Sequence, residues 1–318
     1  MAVARTRCVC LVGVTGHVVD VEADVGSGMA GMHLIGMLDT ALSEARDRVR
    51  SAMVNSRCPW PDARITVSLF PASLPKRGST FDLAIAVALL AAAGFVPGER
   101  VAEPFFLGEL GLDGSLRPVR GVLPAVLAAV AVGARTIVVP ARNAAEASLV
   151  PEVTVVPVTT LGELVEWLRC DGGAVPPAGA SPPPCGAAGP DDRGSAEAVP
   201  DLGDVAGQPF ARRALEVCAA GGHNLWMLGP PGTGKTMLAE RLPTLLPRLD
   251  RDQALEVTAI HSVAGTLPVD RPLLERPPFV SPHHTATIAA VVGGGSGVIR
   301  PGAVSLAHPS VSRGTLDR

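Results

Sequence analysis

A glycine-rich stretch late in the chain constrains the fold most, because few local backbone arrangements accommodate it. The apolar run 224–228 before it is short enough for a buried strand, and residues 237–242 after it are helix formers with helical apolar spacing. The stretch itself matches the pattern G-x-x-x-x-G-K-[ST] and consists of Gly229, Pro230, Pro231, Gly232, Thr233, Gly234, Lys235 and Thr236. The sequence therefore predicts a strand, a glycine loop and a helix in succession.

This succession is the setting in which a glycine loop binds phosphate. Glycines allow backbone N–H groups to converge on phosphate oxygens, and the N-terminus of the following helix adds partial positive charge. In such a loop Lys235 reaches the β- and γ-phosphates, and the Thr236 hydroxyl binds Mg²⁺. A plain Gly/Pro turn is the alternative, but both flanks agree with the phosphate-binding motif. We therefore predict a nucleotide site at residues 229–236, with Thr236 on the metal.

The 318 residues divide into two predicted domains and a linker. Residues 1–170 mix strand and helix patterns in one α/β domain. Gly, Pro and Ala fill 20 of the 30 positions from 171 to 200, and hydrophobic periodicity disappears there. Such a composition buries too little apolar surface to offset its ordering entropy, which predicts a flexible linker. Residues 201–318 form the second domain, which carries the glycine loop.

Hydrophobic periodicity predicts the main elements of both domains. A hairpin is expected within residues 8–26, and an Asp-Gly turn at 113–114 is expected to join two short strands at 105–107 and 116–119. Gly293 to Gly297 are predicted to form a loop. Further strands are predicted at 64–69, 136–139 and 153–158, and helices at 39–54, 81–93, 122–132, 161–169, 208–220 and 252–261.

Composition excludes several classes of protein. The net charge is −3, so no overall basic field for nucleic acid is expected. Aromatic residues make up 3% of the chain, too few for a base-stacking platform. The six cysteines include no C-x-x-C pair and have no zinc spacing. No apolar stretch reaches membrane-spanning length, so we predict a cytoplasmic protein without a membrane partner.

The second domain resembles the magnesium-chelatase-like AAA+ ATPases of the ComM/YifB family. The resemblance rests on segments that lead into the glycine loop and segments that follow it. They are Gly207-Gln208, Ala211 to Val217 and Ala219 to Asn224 before the loop, and Ser281 to Thr285, Gly293 to Gly295, Arg300 to Gly302 and Ser305 to His308 after it. The resemblance implies a P-loop AAA+ α/β domain whose ligands are ATP and Mg²⁺.

The first domain is similar to the one that precedes the ATPase in that family, and through it to the protease domain of Lon, an α+β fold of the ribosomal S5 domain 2 type. The similarity rests on the segments Pro75 to Leu83, Leu107 to Leu110 and Leu112 to Pro124. Lon proteases use a serine that a lysine activates. The resemblance places Thr80 at the serine position and Leu123 at the lysine position, so no amine is available and protease activity is not expected. Lys76 and Ser79 are expected to have no catalytic role: their polar side chains cap the loop by hydrogen bonding or are solvated.

The resemblance implies a homo-hexamer that couples ATP to DNA processing in full-length relatives, by helicase or branch migration. Two alternatives remain open: a chelatase-type motor subunit for metal insertion, and a non-enzymatic fragment that acts through contacts of the first domain. AAA+ hydrolysis also needs an apolar strand ending in Asp-Glu and a later arginine finger. No such strand follows Thr236, so we expect a truncated member that binds ATP and hydrolyses it poorly.

Overall fold

The chain forms two units, seen in a computed structural model. The model describes residues 3–36, 39, 42, 44–170, 200–268, 271–283, 285–295 and 300–308. The first unit takes in residues 1–183 and 262–272, and the second takes in 184–261 and 273–318. Most of the predicted linker, residues 171–199, lies outside the described residues. Within the described part of the chain, no helix is both long and apolar enough to cross a bilayer.

A seven-stranded mixed sheet forms the centre of the first unit, in the strand order β3-β4-β2-β1-β5-β8-β9. Four of its six strand pairings are parallel; only β1 with β2 and β2 with β4 are antiparallel. The strands are β1 (Val3–Val12), β2 (Thr15–Gly26), β3 (Gly31–Ile35), β4 (Arg64–Phe70), β5 (Phe105–Phe106), β8 (Thr136–Pro140) and β9 (Thr154–Val158). The predicted hairpin is confirmed, with Val12 opposite Thr15 at its turn.

Six helices accompany this sheet. All eleven residues of α2 are buried, so its sequence is apolar on every side rather than along one stripe, with Asp82 as the one charged exception. Thr160 is the N-cap residue of helix α6, and its side chain accepts a hydrogen bond from the Glu163 amide at 3.2 Å. The helices are α1 (Ala45–Asn55), α2 (Asp82–Ala92), α3 (Gly98–Ala102), α4 (Val122–Ala131), α5 (Ala144–Ala147) and α6 (Leu161–Arg169).

The Asp-Gly turn is present and leads into the strand predicted from residue 116, but the strand before it is not the predicted 105–107. It connects β6 (Glu109–Leu110) to β7 (Leu116–Arg117), whereas β5 pairs with β1 and β8 inside the main sheet. Both phenylalanines of β5 are fully buried, and a central position in the sheet covers them better than an exposed hairpin would. The carboxylate of Asp113 accepts from the Ser115 amide at 3.1 Å and from the Ser115 hydroxyl at 2.7 Å, which closes the turn.

The described part of the second unit is mostly helical. A small core of Leu202, Val205, Leu215 and Leu238 holds it together. The first two glycines of the predicted 293–297 loop instead pair with Arg300–Pro301 in a short ladder; residues 296–299 are outside the described residues. The elements are α7 (Pro209–Gly221), α8 (Lys235–Ala239), α9 (Leu242–Leu245), α10 (Arg251–Ala264), α11 (Ile288–Val292), β10 (Gly293–Gly294), β11 (Arg300–Pro301) and α12 (Ala303–Leu306).

The buried strand predicted over residues 224–228 is wrong for this structure. The segment keeps the alternation of a strand, because Leu225 and Met227 pack against the small core while Trp226 is 67% and Leu228 is 88% exposed. It belongs to none of the three sheets found in the described residues. A strand needs a neighbour for its backbone N–H and C=O groups, and periodicity along the chain does not supply one.

Candidate functional site

The glycine loop connects the extended segment 224–228 to helix α8. Gly232 and Gly234 have φ of +84° and +80°, which side chains with a Cβ rarely adopt. Gly234 is the residue that precedes the first turn of α8. Of the two glycines that the motif demands, Gly234 is therefore required by the backbone path, and Gly232 meets the same requirement at a position that the motif leaves open. The eight predicted site residues lie together in one turn because they are contiguous.

The Lys235 side chain folds back over its own loop. Its Nζ donates to the carbonyl oxygens of Gly229 at 2.6 Å and Pro230 at 2.8 Å, and approaches Thr233 Oγ1 at 3.3 Å. The Thr233 hydroxyl in turn donates to the Pro230 carbonyl at 3.0 Å. Three neutral oxygens thus surround one ammonium group, and phosphate oxygens would be stronger partners for the same charge.

Thr236 lies in the first turn of α8 and is exposed, so its hydroxyl is open to a metal ion. The helix itself is shorter than the predicted 237–242, because it ends at Ala239 and the chain resumes as α9. Pro243 lies in the first turn of α9, where the missing N–H of proline is tolerated, whereas a continuous helix would place it in the interior. Helix α8 has only five residues, so its dipole adds little positive charge at the loop beside that of Lys235.

Residues 200–205 contact α8 and α9, the two helices that follow the loop, and the sequence had no signal for these contacts. Arg241 Nε donates to the Asp201 carbonyl at 2.9 Å, and Thr244 Oγ1 donates to the Pro200 carbonyl at 3.2 Å. Leu202 and Val205 pack in the same core as Leu238 of α8. Only the tertiary structure brings these residues together, since 40 and 44 positions separate the two hydrogen-bonded pairs along the chain.

Of the two positions that the resemblance aligns with the Lon dyad, Thr80 is half-buried, and its carbonyl oxygen accepts from the Gly108 amide at 3.2 Å. Leu123 is buried, and its amide donates to Glu146 Oε1 at 2.7 Å. Lys76 contradicts the expectation that it is solvated: its side chain is fully buried, donates to the Pro71 carbonyl, and has its pKa lowered by burial. Ser79 hydrogen-bonds the carboxylate of Glu109.

Metal-ligating clusters are not found among the described residues. No group of three His, Cys, Asp or Glu side chains is close enough to hold an ion in that part of the chain. His283 instead contacts the Thr285 hydroxyl at 2.7 Å, and His284 is outside the described residues.

Two models of known protein families match this chain. A family model described as "Magnesium chelatase, subunit ChlI" matches residues 201–312, and one described as "Subunit ChlI of Mg-chelatase" matches residues 21–143. The glycine loop thus belongs to the magnesium-chelatase-like class of AAA+ proteins. Within that class, the chain belongs to the ComM/YifB family.

Several curated proteins are similar over nearly the whole chain. An uncharacterized protein of Mycobacterium tuberculosis is 53% identical over 98% of this chain and 60% of its own length. YifB of Salmonella typhimurium is 40% identical over 100% of this chain and 61% of its own length. The competence protein ComM of Haemophilus influenzae is 40% identical over 94% and 57%. This chain therefore spans about three fifths of the length of these relatives.

A more distant similarity connects the chain with Lon. A Lon protease of Trichlorobacter lovleyi is 28% identical over 48% of this chain and 20% of its own length. This partial match is consistent with the mixed α/β fold and parallel-rich sheet of the first unit.

Proposed function

We propose that this chain binds ATP as its Mg²⁺ complex through residues 229–236. The observation that carries the proposal is the Lys235 ammonium group, which lies against Gly229 and Pro230 carbonyl oxygens in a loop with left-handed Gly232 and Gly234. Triphosphate oxygens would replace these carbonyls around Nζ, and the exposed Thr236 hydroxyl would bind Mg²⁺. Membership of an AAA+ family supports ATP as the nucleotide.

For the whole protein, we propose an AAA+ ATPase that acts on DNA as a homo-hexamer. The name competence protein, given to the Haemophilus influenzae relative, supports this class of substrate. In this proposal residues 1–170 form a Lon-like domain without protease activity, and residues 201–318 form part of the AAA+ domain. The second candidate is a motor subunit for metal insertion, which the chelatase name of the family model favours. ATP turnover by a full-length relative with and without DNA separates the two, because only the first predicts stimulation.

Equilibrium binding to the purified chain tests the nucleotide site. Lys235→Met removes the charge but keeps the length of the side chain, and we expect it to weaken ATP about 10- to 100-fold. Thr236→Ala should weaken ATP about 3- to 10-fold with Mg²⁺ present and leave binding in EDTA unchanged. Thr236→Ser keeps the hydroxyl and is the matched control. Binding that survives Lys235→Met unchanged would reject the site.

The lysine content of the chain allows a second, independent test. Lys76 and Lys235 are the only lysines, and Lys76 is fully buried. An acyl-phosphate derivative of ATP transfers its acyl group to a nearby amine, with the nucleotide as leaving group. We expect mass spectrometry to find Lys235 acylated and excess ATP to prevent it. Equal labelling with and without ATP would contradict a specific site.

A further inference from the structure

Gln208 contacts the glycine loop from outside, although it lies 21 residues before the loop begins. Its amide Nε2 donates to the carbonyl oxygen of Thr233 at 3.2 Å. Gln208 is also the N-cap of α7, yet its side chain makes no capping bond to that helix. A Ser, Thr, Asp or Asn at this position would bond the first turn of the helix with its side chain. Here the side chain is used on the loop instead.

The hydrogen bond to Thr233 fixes the direction of one peptide group. The C=O of Thr233 and the N–H of Gly234 belong to the same planar trans peptide, so the two bonds point in opposite directions. When the carbonyl is directed toward Gln208, the Gly234 amide points away from it. A carbonyl oxygen turned toward phosphate would repel the anion, whereas an N–H group attracts it.

Two backbone features are needed for this contact. A Cβ at Gly234 would lie 2.9 Å from Gln208 Nε2, so glycine at 234 leaves the space that the amide occupies. Gln208 itself has φ of +52° and ψ of +48°, a left-handed conformation that is uncommon for a residue other than glycine. A strained residue whose side chain reaches a ligand loop points to a role in that loop.

We propose that Gln208 is a positioning residue of the phosphate loop, which holds the 233–234 peptide with its N–H available to phosphate. This inference rests on the proposed ATP site and adds the residue that shapes it. Gln208 acts on the phosphate end of the ligand alone. Its removal should therefore weaken every ligand that carries the triphosphate group, whether or not a base is attached.

Two substitutions separate this role from a structural one. Gln208→Ala removes the amide and keeps the left-handed strain, while Gln208→Gly removes both. We expect both variants to weaken ATP·Mg²⁺ by the same factor of about 3 to 10. The glycine variant should nevertheless melt at or above the temperature of the unsubstituted chain. If Gln208 acted only through the stability of the second unit, affinity would follow the melting temperature, and the glycine variant would bind normally.

The ligand comparison uses inorganic tripolyphosphate, measured by competition with a fluorescent ATP analogue. We expect the affinity for tripolyphosphate to fall by the same factor as the affinity for ATP in both variants. Arg213→Ala is the control, because Arg213 is exposed on the same helix and pairs only locally, with Glu216. Loss confined to ATP would mean that Gln208 contacts the base or ribose, and unchanged binding of both ligands would overturn the inference alone. An unsubstituted chain that binds neither ligand would refute the proposed function as well.

Discussion

The ion pair between Arg48 of α1 and Asp82 of α2 makes a quantitative prediction about stability. Arg48 Nε donates to Asp82 Oδ2 at 2.7 Å, and Nη2 donates to Oδ1 at 3.0 Å. The Asp82 side chain is fully buried, while that of Arg48 is 19% exposed. Burial raises the pKa of Asp82 from 3.8 to about 6, although Arg48 opposes the shift. Desolvation of this carboxylate therefore outweighs its attraction to the guanidinium group.

The raised pKa of Asp82 determines both the sign and the size of the pH dependence of stability. Between about pH 4 and pH 6 the folded chain keeps a proton on Asp82 that the unfolded chain has released. The stability that comes from protonated Asp82 is therefore fully present below about pH 4 and is lost as the pH rises through about 6. A difference of about 2 pKa units corresponds to about 3 kcal/mol in the free energy of unfolding.

Three variants test this reasoning. Asp82→Asn keeps the shape of the side chain and does not titrate, so its stability lacks the loss that Asp82 causes as the pH rises. Its free energy of unfolding, relative to that of the unsubstituted chain, should therefore be about 3 kcal/mol higher at pH 7 than at pH 4. Arg48→Met leaves a buried carboxylate without its cation and should cost about 3–5 kcal/mol at pH 7, but less at pH 4. The double variant removes the buried charge, so its stability should return close to that of Asp82→Asn.

Urea unfolding followed by tryptophan fluorescence measures these differences. Trp60 and Trp167 lie in the first unit and Trp226 in the second, so a Trp226→Phe background restricts the signal to the unit that contains the ion pair. The free energy of unfolding is compared at several pH values from 4 to 7. Parallel pH dependence of Asp82→Asn and its parent would refute the argument, because no other group differs between them.

Two further predictions concern turnover and packing. Residues 237–318 contain no apolar strand ending in Asp-Glu, so the purified 318-residue chain should hydrolyse ATP more slowly than about 1 s⁻¹; faster turnover that Lys235→Met abolishes would contradict this. A Cβ at Gly16 would lie 2.5 Å from Ala128 Cβ and 3.0 Å from the Pro124 carbonyl, whereas Gly98 has open space. Gly16→Ala should therefore lower the free energy of unfolding, measured in urea, by about 1–3 kcal/mol, and Gly98→Ala should lower it by less than about 0.5 kcal/mol. Equal effects of the two substitutions would contradict the close contact at Gly16.

Features that depend on neighbouring residues could be predicted from the sequence. The helix expected at 161–169 has those bounds, and the one expected at 81–93 spans Asp82–Ala92. The hairpin within 8–26 is present as β1 and β2. The glycine loop was recognised in the same way, because φ of +80° at Gly234 is a local demand that only glycine meets easily. Family membership followed from motifs that are contiguous in the chain.

Features that depend on distant partners were decided only by the tertiary structure. Residues 224–228 have the alternation of a strand, but pairing needs a second chain segment and the described residues provide none. Lys76 follows a proline in a loop rich in polar residues, yet the fold buries it. Gln208 reaches Thr233, 25 positions away, where α7 and α8 share a small core. The sequence by itself determined which residues form the glycine loop, and the tertiary structure decided which side chains contact that loop.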